Sequence, residues 1–285
     1  MINPTRCAVL CSDNWGTVSL SYREEILKTS QIKDILLRSK KPFAFPNGIP
    51  KAEKRAKFDA LCGSDHLKAK EIIQKKYFKY TLLNDKQCLF GFVGRITKQK
   101  GILLILNIVE RFLEDYDNKA QFFIGGPISP SDPYGQECAK KMKYLTEKYP
   151  WNFWADPFLF FRDGEALTLG CDFGMMPSAF EPGGIVQHEF FVANTPVIAY
   201  KTGGLKDTVF NYSRSTKKGN GFVFEDYNED GLYQAFENAY KLFQDKKHYQ
   251  IARVNAYDGA IDIADQAISW NKEFYRLFNR VKFFY

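Results

Sequence analysis

The sequence predicts an α/β fold, a parallel sheet with helices on both faces. Three observations predict it. Short continuous apolar runs end in glycine or proline, as strands buried on both faces do. Helix-length segments with apolar positions three to four apart separate those runs. The two kinds of segment alternate, so each connection is a right-handed strand–helix–strand crossover.

The chain has 285 residues, enough for one large or two small domains. Residues 1–50 read as irregular structure with one or two short helices, then an extended linker. Asp13–Gly16 is turn chemistry, Thr17-Val18-Ser19 is β-like, and Ser21–Ile26 looks like a capped helix start. Pro42–Pro50, with Asn47-Gly48, is the linker. Residues 51–82 have helical spacing. Cys88–Gly94 is the first buried strand and Lys100–Tyr116 a helix with Ile102, Ile105, Val109 and Phe112 on one face. Strands follow at 120–125, 152–154, 172–176, 196–200 and 221–224. Between them lie helices at 135–149, 165–170, 184–193 and 205–209. Helices at 228–244, 246–266 (broken near Asp258-Gly259) and 267–281 close the chain. This divides it into 1–50, a sheet domain over 51–262, and a final helix over 263–285.

Composition excludes several classes. Apolar residues make up 45%, with 26 Phe, 16 Tyr and 4 Trp, so a core is available and disorder is not the main state. No window nears the roughly 18 apolar residues of a membrane span. Met1–Arg6 resembles neither a signal nor a transit peptide, so the expected location is cytoplasmic, or plastid if a leader precedes this sequence. Lys and Arg total 40 against 33 Asp and Glu, a net charge of +7. The surplus is scattered, which suits a small anionic ligand and gives no ground for a nucleic-acid partner. Cys7, Cys11, Cys62, Cys88, Cys138 and Cys171 form no C-x-x-C pair. With only three histidines, reduced thiols and no metal site are expected.

Ligands on such sheets bind beyond the carboxyl ends of the strands. Three strand-to-helix loops there are chemically unusual. Gly94–Gly101 carries Arg95 and Lys100 at a helix start, a cationic clamp for a diphosphate. Pro177–Glu189 carries Glu181, Gly183, Gly184, His188 and Glu189. Its glycines let a ligand approach the backbone, and its two carboxylates, eight residues apart, can accept hydroxyls of a sugar. Equally, Glu181 can cap the helix, Glu189 can be a buried ion-pair partner, and His188 a packed helix residue. Lys201–Thr208 repeats the strand, Gly-Gly, helix arrangement, with Thr202, Gly203 and Gly204 able to donate to phosphate or simply to form a tight turn. No phosphate-loop lysine motif and no G-x-G-x-x-G occur, which disfavours a nucleotide hydrolase or a nicotinamide enzyme. A nucleotide-sugar site fits best.

These motifs resemble those of the glycogen and starch synthases. Gly94–Gly101 resembles their R-x-x-x-Q-K-G element, Pro177–Gln187 their P-S-R-F-E-P-C-G-L-x-Q element, and Thr202–Val209 their T-G-G-L-x-D-T-V element. Thr17–Ile26, Pro46–Ile49, Gly219–Phe224 and Ser269-Trp270 also have counterparts, in order. The resemblance implies the C-terminal, Rossmann-like half of a two-domain GT-B architecture. It implies transfer of glucose from ADP- or UDP-glucose to an α-1,4-glucan, with retention and without metal or other cofactor. By resemblance, Arg95 and Lys100 hold the diphosphate and Glu181 the donor glucose. Main-chain groups of Gly183, Gly184 and Ile185, with Asn47, touch the sugar and phosphate. Thr202, Gly203, Gly204 and Glu189 complete the donor site, and Phe161 stacks on the base.

The departures are specific. Ala179 and Leu20 replace the family's Arg and Pro. The family's N-terminal, acceptor-binding domain has no counterpart in this sequence, so the expected partners include a separate domain of that kind. Phe274, Leu277, Phe278, Phe283, Phe284 and Tyr285 are expected to leave an exposed apolar patch. The competing expectation is a catalytically inactive nucleotide-sugar-binding or structural subunit.

Overall fold

The computed structural model describes residues 3–38 and 42–281. The first fifty residues form α1 (Pro4–Cys11), β1 (Gly16–Thr17), α2 (Leu20–Thr29), α3 (Lys33–Leu36) and β2 (Phe43–Ala44). β1 and β2 pair in parallel as a small separate sheet. Two helices follow, α4 (Lys51–Cys62) and α5 (His66–Tyr77), divided where Gly63 turns left-handed at φ +68°.

The main sheet alternates strand and helix in the order β3 (Cys88–Val93), α6 (Ile102–Asp115), β4 (Ala120–Gly125), α7 (Pro133–Lys148), β5 (Phe153–Ala155) and α8 (Gly164–Gly170). It continues with β6 (Phe173–Met176), α9 (Val186–Val192), β7 (Val197–Tyr200), α10 (Gly203–Thr208) and β8 (Gly221–Phe224). Three helices finish the described chain, α11 (Glu229–Gln244), α12 (Lys246–Asp258) and α13 (Ile263–Val281).

All six strands run parallel in the order β5-β4-β3-β6-β7-β8. The order reverses between β3 and β6, which pair Phe90 with Phe173 and Gly91 with Gly174. This is the doubly wound arrangement whose ligand crevice opens between the two central strands. Every residue of β4 and β6 is buried, so apart from Gln121 these strands are apolar throughout rather than alternating.

One sheet face is packed by α6, α7 and α11, with Phe90, Phe112, Phe122 and Phe236 in mutual ring contact. The other face is packed by α4, α5, α8 and α9 through Phe58, Phe78, Phe123, Phe190 and Phe191. Each of these rings is fully buried, stabilising the fold by roughly 1.5–3 kcal/mol. A third, small cluster of Trp15, Ile32 and Leu36 serves the N-terminal segment.

The chain passes the sheet domain's edge twice at one point. Ile49 N–H donates to the Ile261 carbonyl at 3.1 Å and Ile263 N–H to the Ile49 carbonyl at 3.0 Å. The expected break near Asp258-Gly259 is there, and the bridge corrects one expected boundary. Residues 259–262 are drawn out of the helix to meet Ile49, so α12 stops at Asp258. Asp262 then caps Ala264 N–H at 3.0 Å, and α13 starts at Ile263 rather than 267. A further correction falls at α9, which starts at Val186, because Gly184 is left-handed at φ +53° and cannot continue a helix.

On α13, Trp270 packs edge-on against Phe43 and Phe45, while Phe274 and Phe278 are exposed and Leu277 is half-buried. Phe283, Phe284 and Tyr285 lie outside the described residues. All six cysteines are free thiols, with Cys88, Cys138 and Cys171 buried. Among the described residues no helix is long and apolar enough to cross a membrane.

Candidate nucleotide-sugar site

The loop leaving β3 and the loop leaving β6 are fastened together beyond the strand ends. A 3-10 turn, Lys98–Lys100, leads into Gly101, whose φ of +69° starts α6. A Cβ at Gly101 would lie 2.1 Å from the Pro177 carbonyl oxygen, so only glycine lets the first loop pass under the second. Ala179 N–H then donates to the Gln99 carbonyl at 2.9 Å. The Gln99 side-chain amide donates to the Phe180 carbonyl at 2.8 Å, and Tyr227 hydroxyl to the Pro177 carbonyl at 3.2 Å.

This fastening places the Lys100 ammonium on the Glu181 carboxylate, an ion pair with both side chains largely buried. Arg95, on the same loop, is exposed and makes no ion pair or hydrogen bond with a described residue. The main-chain N–H groups of Gly183, Gly184 and Ile185 likewise have no partner among the described residues. The site therefore holds one ion-paired cation around a buried carboxylate, with one further cation and three amide donors that have no partner among the described residues. That is a constellation for an anion attached to a hydroxyl-bearing group.

The third loop closes beneath the second. Gly204 N–H donates to the Glu181 carbonyl at 2.9 Å, so it shapes the loop and is not free for phosphate. Gly203 is buried beside it, and Thr202 hydroxyl lies 3.5 Å from the Ala179 carbonyl. Asn47 comes from the linker, its side-chain nitrogen 3.0 Å from where a Cβ on Gly183 would stand.

Two expected residues stand slightly apart. Glu189, in the first turn of α9, is held by Lys54 of α4 at 3.3 Å, and Lys54 also reaches Glu165 at 3.6 Å. Lys54 was not visible as a site residue, because it lies far away in sequence on a helix full of lysines. Phe161 lies over Gly125 at the end of β4 and packs on Tyr77, Phe123 and Trp154. Its neighbour Phe160 is exposed. His188 is a packed residue: fully buried, against Phe191, with Ile261 N–H at 3.5 Å from Nδ1. Burial, with help from the Lys51 charge, lowers its pKa to about 4.

The family described as "Glycosyl transferases group 1" matches residues 73–258. The chain belongs to that family. Among curated relatives, this chain is similar to the glycogen synthase of Lactococcus lactis, 31% identical over 255 residues, covering 85% of this chain and 51% of the relative. It is also similar to the glycogen synthase of Clostridium botulinum strain Alaska E43, 33% identical over 261 residues, covering 87% and 52%. The chain thus spans about half the length of these curated relatives. In fold it is similar to the catalytic domain of starch synthase IV from Arabidopsis thaliana bound to ADP and acarbose. That match has a TM-score of 0.77 at 23% identity, over 98% of this chain and 58% of that one. The resemblance to glycogen and starch synthases drawn from the three loops agrees with these findings, as does the GT-B type of fold.

Proposed function

We propose that this chain is the nucleotide-sugar-binding half of a glucosyltransferase of glycogen or starch synthase type. The observation that carries the reading is the fastened pair of loops at the switch point. They set Lys100 on Glu181 beside three amides without a partner among the described residues, with Arg95 on the same loop as Lys100. The similarity to two glycogen synthases, and to a starch synthase solved with ADP and acarbose, supports glucose as the group transferred.

In this reading ADP- or UDP-glucose lays its diphosphate against Arg95 and Lys100. Lys100 shifts from Glu181 to the phosphate, and Glu181 turns to the hydroxyls of the glucose. The amides of Gly183, Gly184 and Ile185 hold the sugar and phosphate junction, with Asn47, Thr202 and Gly203 at its edge. Glu189 adds a carboxylate, and Phe161 or its exposed neighbour Phe160 takes the base. The bond between the anomeric carbon and the diphosphate oxygen breaks, and the charge developing on that oxygen falls between the two cations. This assigns to Arg95 and Lys100 the role a divalent ion takes at other diphosphate sites, so no metal is invoked. A hydroxyl of an α-1,4-glucan forms the new bond, with retention, and gives its proton to the departing diphosphate oxygen. The glucan is held by a further domain, on the same or a separate polypeptide, since donor and acceptor must be held together.

Calorimetric titration of the chain with ADP, UDP, ADP-glucose and UDP-glucose, beside Lys100→Ala, tests the reading. Binding of one nucleotide series, weakened in the variant, is expected and names the donor. No binding by folded chain would overturn it. Binding that persists without glucosyl transfer, even when an acceptor domain is supplied, would favour an inactive binding subunit.

A further inference from the structure

The free amides of Gly183, Gly184 and Ile185 are held in place from outside the sheet domain. Segment 16–22 crosses the outer side of the loop that bears them. A Cβ on Gly183 would stand 2.6 Å from Val18 Cγ2, so the segment lies directly against the loop backbone. Ser19 hydroxyl, almost fully buried, donates to the Pro182 carbonyl at 2.5 Å. Ser19 Oγ also accepts Tyr22 N–H at 3.1 Å and so caps α2. The Tyr22 ring meets Phe180 edge-on at 5.5 Å.

What fixes this segment is a carboxylate from the third loop's helix. Asp207 of α10 accepts both the main-chain N–H of Ser21 at 2.9 Å and its hydroxyl at 2.5 Å. α10 is itself joined to the donor loop through Gly204 N–H and the Glu181 carbonyl. The contacts form a closed ring: donor loop, α10, Asp207, Ser21, Ser19 and back to Pro182. A fork of two hydrogen bonds to one carboxylate fixes both distance and direction, which a single contact does not.

We infer that Asp207 is a positioning residue for the donor site. Through Ser21 and Ser19 it holds the 181–185 loop with its free amides facing the crevice, and it makes docking of α2 and occupancy of the loop one coupled equilibrium. Coupling of this kind is reciprocal, so ligand binding tightens α2 as much as the docked α2 tightens the ligand. The inference rests on the donor-site reading given above.

The test compares wild type, Asp207→Asn, Ser21→Ala and, as a control, Arg6→Ala. The control breaks the exposed Arg6–Asp34 pair elsewhere in the same N-terminal segment. Each is titrated calorimetrically with ADP, UDP and their glucose conjugates, and amide hydrogen exchange of residues 22–29 is followed with and without saturating ligand. In wild type, ligand is expected to slow exchange along α2. Asp207→Asn and Ser21→Ala are expected to weaken binding about tenfold and to abolish that transmitted protection. Arg6→Ala is expected to change neither.

Should Asp207→Asn fail to fold, Ser21→Ala removes only a hydroxyl and carries the same comparison. Wild-type affinity in both variants, or α2 exchange in wild type that ignores bound ligand, overturns the inference while the donor-site reading stands. Wild type that binds none of the four ligands overturns both.

Discussion

At the amino end of β6, Asp172 is enclosed. Lys70 ammonium lies 2.7 Å from one oxygen, which also accepts Leu89 N–H at 2.8 Å. His66 at 3.2 Å and Tyr249 hydroxyl at 2.9 Å serve the other. Burial alone would raise this carboxyl's pKa. The Lys70 charge, the His66 hydrogen bond and charge, and the Leu89 amide outweigh that and hold it below the usual carboxylate range. At the carboxyl end of the same strand, Glu181 has Lys100 as its one side-chain partner among the described residues, Arg95 has none, and three amides have none. The first cluster is complete without a ligand. The second is built of the same kinds of group and left incomplete. A closed polar network holds two halves of a sheet together, whereas an open one is a place for something to bind.

The largest way to break the closed cluster is Asp172→Asn. It leaves Lys70, fully buried, without a counter-charge, and urea unfolding is expected to show a loss of about 3–5 kcal/mol. A loss below about 1 kcal/mol would mean that water reaches the cluster and that the two ends do not differ as described.

An intermediate case is His188, with one long hydrogen bond and an Nε2 atom lacking a partner among the described residues. Its pKa is lowered to about 4, so the folded chain stays neutral there while the unfolded chain takes up a proton below about 6.5. Stability is therefore full above pH 6.5 and falls as pH drops toward 4, by about 3 kcal/mol from this group. Burial lowers the His66 pKa too, with the same sign, so the contribution is isolated by difference. Unfolding curves of His188→Leu are expected to lose about 3 kcal/mol less than wild type over that range. Parallel curves would refute the assignment.

The open cluster should respond mainly in ligand affinity. Lys100→Ala is expected to weaken nucleotide binding by about 10- to 100-fold, the worth of one charge-assisted contact, and, because Glu181 keeps a largely buried carboxylate without that partner, to cost about 1–3 kcal/mol, less than Asp172→Asn. A large stability loss with unchanged affinity would make Lys100 a structural residue like Lys70. The smallest effect sets the scale. Glu53→Gln, which breaks an exposed pair with Lys57 one turn along α4, should cost no more than about 0.5 kcal/mol by the same unfolding measurement.

The main sheet was legible because each of its strands is a compact apolar run closed by a turn residue, a signal that needs no knowledge of distant neighbours. The three loops were legible for the same reason: Arg95, Lys100, Glu181 and the glycine pairs sit within short stretches at strand ends. What local reading could not supply is whatever depends on a remote partner. The start of α13 moves because Ile49 pulls on residues 261–263. Lys54 meets Glu189 from a helix 135 residues earlier, and Ser21 meets Asp207 across 186 residues. Gly204 looked like a phosphate donor because sequence shows that it has an N–H but not that Glu181 already accepts it.

The bridge between Ile49 and residues 261–263 has a consequence for how the domain could be handled as a part. Residues 50 and 260 leave the body side by side, so the stretch between them begins and ends at a single doorway. Such a unit behaves as a cassette: it can be carried in the loop of another chain, or its ends joined and new ends opened elsewhere, with little disturbance to its interior. The exposed turn at Arg214–Lys217, remote from the crevice in sequence, offers a natural place for the new opening.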